Sequence, residues 1–127
     1  MAQGTDSTER FTMSISLDHD VIVARAIGEL DRRVAEAMRR QVQQAWQSTP
    51  SAGLVLDFSK LTFCDSTGLS VLVLLLKHSR AEHSPLVLCN TTTRLERMLS
   101  ITGLQTQFQV TPSVEQAIQA VKSSVRL

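Results

Sequence analysis

The run from Leu61 to Leu76 constrains this chain more than any other stretch. Leu61-Thr62-Phe63-Cys64 reads as the end of an apolar strand, Asp65-Ser66-Thr67-Gly68 as a break, and Leu69 with Val71 to Leu76 as a hydrophobic helix. A strand that passes through Asp, Ser and Thr into an apolar helical run marks a helix N-terminus. Unpaired backbone N–H groups and the positive end of the helix dipole collect there. Such a seam can cap the helix, bind an anion or hold a nucleophile.

The segments on either side supply the frame. Phe11, Met13, Ile15 and Leu17 alternate with Thr12, Ser14 and Ser16, which predicts a strand with one buried face. Asp18-His19-Asp20 supplies turn chemistry, and Val21 to Ile27 returns as the second strand of a hairpin. Gly28-Glu29-Leu30-Asp31 is expected to break that strand. From Arg32 to Gln47 the apolar positions Ala35, Met38, Val42, Ala45 and Trp46 recur at helical spacing. Leu54-Val55-Leu56-Asp57-Phe58 then reads as a short strand of the kind buried in parallel sheets.

The seam opens a second helix, about Thr67 to Glu82, followed by a strand at Pro85 to Leu88. Thr91-Thr92-Thr93 is placed to cap a third helix with Leu95, Met98 and Leu99 inward, ending near Gly103. Gln107 to Val110 is a weak edge strand. Thr111-Pro112 leads into a last helix striped by Val114, Ala117, Ile118 and Val121. The expectation is an α/β fold: a mixed sheet of about five strands, a β-hairpin followed by β-α-β crossovers, packed with about four helices. Residues 1–9 are polar and unpatterned and read as a flexible tail, leaving 10–127 as one domain.

Right-handed β-α-β units bring the C-terminal ends of their strands to one sheet edge, where ligands and partners of open α/β sheets gather. That edge is expected to collect Gly28 to Asp31, Asp65 to Gly68, and Asn90. The three histidines fall elsewhere. His19 precedes the second strand, and His78 lies about 18 Å from Ser66 along a helix rising ~1.5 Å per residue, with His83 further still. A serine nucleophile needs its base within roughly 3 Å, so self-contained Ser–His catalysis at Ser66 is not expected.

Composition removes other classes of function. Net charge is +1, with four Phe, one Trp and no Tyr, so neither a basic footprint nor a stacking platform for nucleic acid is present. The histidines and the two cysteines, Cys64 and Cys89, lack metal-ligand spacing. The cysteines read as small core residues of a reducing, cytoplasmic protein. The apolar run at Val71 to Leu76 is too short to span a bilayer, for which ~20 residues are needed, so no membrane insertion is expected. It leaves its helix apolar nearly all round, which predicts burial with one patch left for a partner.

Within the seam, a single cap would suffice, yet three polar side chains precede Gly68, whose missing side chain permits close approach of another backbone. If Asp65 is the cap, the Ser66 hydroxyl is free at the surface. Asp31 reads equally as a dipole partner for the first helix. Arg32, Arg33, Arg39 and Arg40 read as a solvated helix face.

From about Phe11 to Val121 the chain resembles the STAS domain family and, within it, the bacterial anti-sigma factor antagonists. The resemblance is carried by Gly28-Glu29-Leu30-Asp31 and Asp65-Ser66-Thr67-Gly68-Leu69. Leu54-Val55-Leu56-Asp57-Phe58, Thr102-Gly103-Leu104 and Pro112-Ser113-Val114-Glu115-Gln116-Ala117 support it. It implies a STAS-type fold and a protein that is substrate and switch, not enzyme. Ser66 would be phosphorylated by an anti-sigma factor with serine/threonine kinase activity, to which ATP and magnesium would belong, so this chain needs no cofactor of its own. The unphosphorylated form would bind that partner and free a sigma factor, and a serine phosphatase would reset Ser66. The implied contact set is Glu29, Asp31, Asp65, Ser66, Thr67, Gly68 and Leu69, with Thr67 a secondary acceptor and the chain a monomer or weak dimer.

The departures fall around this set. Ser70 stands where relatives often have Gly, Cys64 where Met is common, and Arg32-Arg33-Val34 replaces the usual lead into the first helix. Two other readings stand beside the switch. One is a STAS scaffold or accessory subunit of a transporter complex that is never phosphorylated. The other is an enzyme or small-anion receptor at the helix N-terminus, which would lack any Gly-rich phosphate loop.

Overall fold

A computed structural model describes residues 10–124; the tail expected at residues 1–9 lies outside the described residues. The elements are β1 (Phe11–Asp18), β2 (Val21–Leu30), α1 (Arg32–Ser48), β3 (Leu54–Cys64), α2 (Ser66–Glu82), β4 (Leu86–Cys89) and α3 (Thr93–Ile101). A 3₁₀ turn at Leu104–Thr106, β5 (Gln109–Thr111) and α4 (Val114–Ser124) follow. The strands lie in one sheet in the order of the sequence. β1 and β2 are antiparallel, and every later pairing is parallel.

That order decides the layers. Successive right-handed crossovers that step in one direction across a sheet put their helices on the same face. Ile22, Leu56 and Leu88 accordingly pack with Met38 of α1, Leu72 of α2 and Leu95 of α3 in one core. On the other face Val23, Val55 and Val87 pack with Ala117, Ile118 and Val121 of α4. β3 and β4 are covered on both faces where they pair, which is why they read as continuous apolar runs rather than alternating ones.

Several boundaries differ from the sequence reading. Gly28-Glu29-Leu30-Asp31 does not break β2, which runs on to Leu30. Gly28 takes φ +105, and a Cβ there would lie 1.9 Å from the Arg10 carbonyl oxygen, which accepts from the Glu29 amide at 2.8 Å. The glycine makes a bulged passage rather than a stop. β3 likewise continues past Phe58 to Cys64, with register shifts against β2. Leu17, expected on the buried face of β1, is 55% exposed, because the alternation holds only for Phe11, Met13 and Ile15, themselves half-buried on an edge strand. The last helix is capped by Ser113, which accepts from the Gln116 amide at 3.1 Å, and Pro112 lies before it. β5 starts at Gln109, leaving Phe108 buried in the core rather than in the strand.

Candidate functional site

β2 and β3 end side by side. Leu30 and Cys64 are register partners, and the Asp65 amide donates to the Leu30 carbonyl at 3.2 Å. Each strand delivers an aspartate that caps the next helix. Asp31 caps α1, accepting from the Arg33 amide at 2.9 Å, and Asp65 caps α2, accepting from the Thr67 and Gly68 amides at 2.9 and 3.1 Å. The composite surface expected at this edge therefore exists for the Gly28–Asp31 and Asp65–Gly68 segments.

Asn90 does not join them. β4 stops pairing at Asp57↔Cys89 while β3 runs on to Cys64, so Asn90 is set back by on the order of 20 Å at ~3.3 Å per residue. It takes a left-handed backbone, φ 55, and its Nδ2 donates to Asp57 Oδ1 at 2.9 Å. The histidines also lie away from the seam. His19 is in the β1–β2 turn, His83 caps the far end of α2, and the His78 ring stands edge-on to Trp46 with centroids 4.8 Å apart.

With Asp65 committed to the cap, Ser66 is the first residue of α2 and is exposed. Its carbonyl accepts from the Ser70 hydroxyl one turn on, and no hydrogen bond ties its own hydroxyl to another side chain among the described residues. Thr67 is half-buried. Asp31 is paired with Arg33, whose Nη2 donates to Oδ2 at 2.9 Å. The hydrogen bonds from Arg33, opposed by partial burial, hold the Asp31 carboxyl below the usual carboxylate range. Glu29 is half-buried and pairs with Arg10 at 3.7 Å.

Gly68 and Leu69, expected among the contact residues, are both buried. The room beside Gly68 is filled by side chains, not by an approaching backbone. A Cβ there would lie 2.8 Å from Cys64 Sγ and 2.9 Å from Leu30 Cγ. Gly68 lets the first turn of α2 settle onto the ends of β2 and β3. Gly68→Ala is expected to lower stability by about 1–2 kcal/mol, since overpacking costs ~1–3 and the better helix propensity of alanine offsets less than ~1. Urea denaturation of the two proteins measures it.

The cysteines are core residues. Burial, reinforced by the Asp65 carboxylate and opposed by Arg94, pushes the Cys64 thiol up to about 11; burial with Asp57 beside it pushes Cys89 up to about 12. Neither forms a thiolate near neutrality. A maleimide added to the native protein at pH 7 is expected to modify neither, and to modify both in denaturant, as read by intact mass.

Two clusters escaped the sequence reading. Asp57, 1% exposed, accepts from Arg25 Nε at 2.8 Å, Asn90 Nδ2 at 2.9 Å and the Ser59 amide at 3.0 Å. Burial raises its pKa, but those hydrogen bonds outweigh it and hold the carboxyl below its ordinary value of 3.8. An acid inside the apolar run Leu54 to Phe58 is the signal that could have revealed it. The second is Arg94, whose guanidinium carbon sits 5.0 Å from the centroid of the Phe63 ring. Nothing in the spacing of these two residues announces that contact. Among the described residues there is no grouping of three His, Cys, Asp or Glu side chains fit to hold a metal. No described helix is long and apolar enough to cross a membrane.

Known proteins share this fold and part of this sequence. An anti-sigma F factor antagonist of Paenibacillus polymyxa is 27% identical over 111 residues, covering 86% of this chain and 92% of its own. An anti-sigma-B factor antagonist of Listeria monocytogenes is 36% identical over 88 residues, 68% of this chain and 74% of its own. The crystal structure of an anti-sigma factor antagonist from Mycobacterium paratuberculosis superposes with a TM-score of 0.74 at 27% identity, covering 88% and 94% of the two chains. The STAS domain model matches residues 12–117, from β1 into α4, so the match takes in the whole sheet and both capped seams. By that match, and by relatives of this likeness, the chain belongs to the STAS domain family.

Proposed function

We propose that this protein is an anti-sigma factor antagonist whose docking is switched at Ser66. Unphosphorylated, it binds an anti-sigma factor through the surface around Ser66, Asp65, Thr67, Asp31 and Glu29 and so frees a sigma factor. That partner carries serine kinase activity with its ATP and magnesium, phosphorylates Ser66 and is thereby released, and a serine phosphatase restores the hydroxyl. The antagonist itself performs no catalysis. It acts in the cytoplasm, where its sigma factor works, and as a monomer or weak dimer.

The carrying observation is the division of labour at the α2 N-terminus. Asp65 accepts from the Thr67 and Gly68 amides, so the exposed Ser66 hydroxyl is not engaged in the cap. A phosphate there adds about −1.5 to −2 charges at the positive end of the helix dipole, which the isolated fold tolerates. Under a docked partner the same charge is stripped of water beside Asp65 and opposes association. Ser66 outranks Thr67 as acceptor because Thr67 is half-buried in the first turn.

The test is reconstitution with a purified anti-sigma factor and its sigma factor from the same organism. Unphosphorylated protein and Ser66→Ala should both displace the sigma factor, and prior incubation with kinase and ATP should abolish displacement by the first but not the second. If Ser66 stays unmodified by every such kinase while the protein still binds a partner, the scaffold or transporter-subunit reading takes its place.

A further inference from the structure

Phe63 lies near the end of β3, beyond the last pairing of β3 with β4 at Asp57 and Cys89. It remains 36% exposed, with Glu29 as its register neighbour on β2. Arg94 reaches it from the first turn of α3, its guanidinium 5.0 Å from the ring centroid. A cation in the first turn of a helix opposes the dipole, so helix stability does not account for Arg94. No described carboxylate lies within ion-pairing distance of it, and the nearby Glu29 is paired with Arg10. Phe63 stands two residues before Asp65, the cap of α2, so the pair adjoins the Asp65-Ser66 seam.

An exposed aromatic and an arginine with no carboxylate partner, adjoining one another, have the composition of an interface anchor. The aromatic face offers apolar area, and the guanidinium offers a fork for a planar carboxylate. We propose that Phe63 and Arg94 are a second contact point for the partner that docks on Ser66, receiving a partner carboxylate on Arg94 and an apolar side chain on Phe63. This rests on the docking reading above and adds to it a determinant of which anti-sigma factor is recognised. The seam supplies the switch, and the Phe63–Arg94 pair supplies selectivity.

The probe is the purified anti-sigma factor that unphosphorylated wild type displaces from its sigma factor. Its affinity is measured by calorimetry for wild type, Phe63→Ala, Arg94→Glu and Arg94→Lys, with circular dichroism to verify folding. Arg94→Glu and Phe63→Ala should each weaken binding by about 30-fold or more, as anchor residues do, with Arg94→Lys between them and wild type. The Arg94→Glu deficit should shrink at high salt, and an acidic-to-arginine change in the partner should restore its binding. If wild type binds and both folded variants stay within about threefold of it, the second contact is wrong and the Ser66 switch stands. If wild type binds no anti-sigma factor, while remaining folded, the docking reading fails and this inference with it.

Discussion

Ser66→Asp is expected to lower affinity for the anti-sigma factor by about 100-fold or more while leaving the protein folded and its melting temperature within a few degrees of wild type. Ser66→Ala should bind as tightly as unphosphorylated wild type. The size follows from placing a charge where a partner excludes water: an unpaired, desolvated carboxylate costs about 3 kcal/mol, and each ~1.4 kcal/mol is tenfold in affinity. The direction is fixed by the neighbours. Asp65 donates nothing to a second anion, its carboxylate being already an acceptor for two amides. Asp31, beside it, is held ionised by Arg33. The fold is spared because the new charge sits at the dipole's positive end in a position that makes no buried contact. Calorimetric titration of the three proteins into one anti-sigma factor, with thermal denaturation alongside, measures both halves.

The second large effect is on stability. Asp57→Ala is expected to destabilise the fold by about 2–4 kcal/mol, because it leaves the Asn90 amide and the Ser59 N–H without their acceptor. The value falls below the ~3–5 kcal/mol typical of a broken buried ion pair, since the Arg25 side chain is 44% exposed and can turn to water. The same carboxyl gives the effect a pH dependence. Its pKa is depressed in the folded state, so its contribution is complete above the unfolded value of ~3.9 and is lost as the pH falls through the native value. The gap between wild type and Asp57→Ala in urea should therefore be widest near pH 7 and narrow below about pH 4.

The order of elements and the capped Asp65-Ser66 seam were legible because both rest on local rules. Apolar alternation marked β1, helical spacing marked α1, and the Asp-Ser-Thr run marked the start of α2. Asp65 does cap that helix, as its position suggested. Long-range matters were less legible. Gly28 reads as a strand break in one dimension, yet it sits at a bulge, with the carbonyl of Arg10, the residue before β1, packed against it. Asn90 shares an edge with Ser66 in topology, but the unequal lengths of β3 and β4 separate them. Gly68 and Leu69 belong to the motif but are buried, Gly68 against Leu30 and Cys64. Asp57 with Arg25 and Asn90, and Phe63 with Arg94, are each contacts between elements distant in sequence, and no local pattern encodes them.

The central claim is that one phosphate on Ser66 governs docking without refolding the protein. The most direct measurement is to phosphorylate wild type with its anti-sigma factor and ATP, locate the modification by peptide mass, and then compare amide spectra and partner affinity of the two purified forms. The account predicts a single phosphate on Ser66, spectral changes confined to the start of α2 and the adjoining end of β2, and loss of binding. Phosphoprotein that still binds the anti-sigma factor as tightly as the unmodified form, or that loses binding through changes spread across the whole sheet, would contradict it.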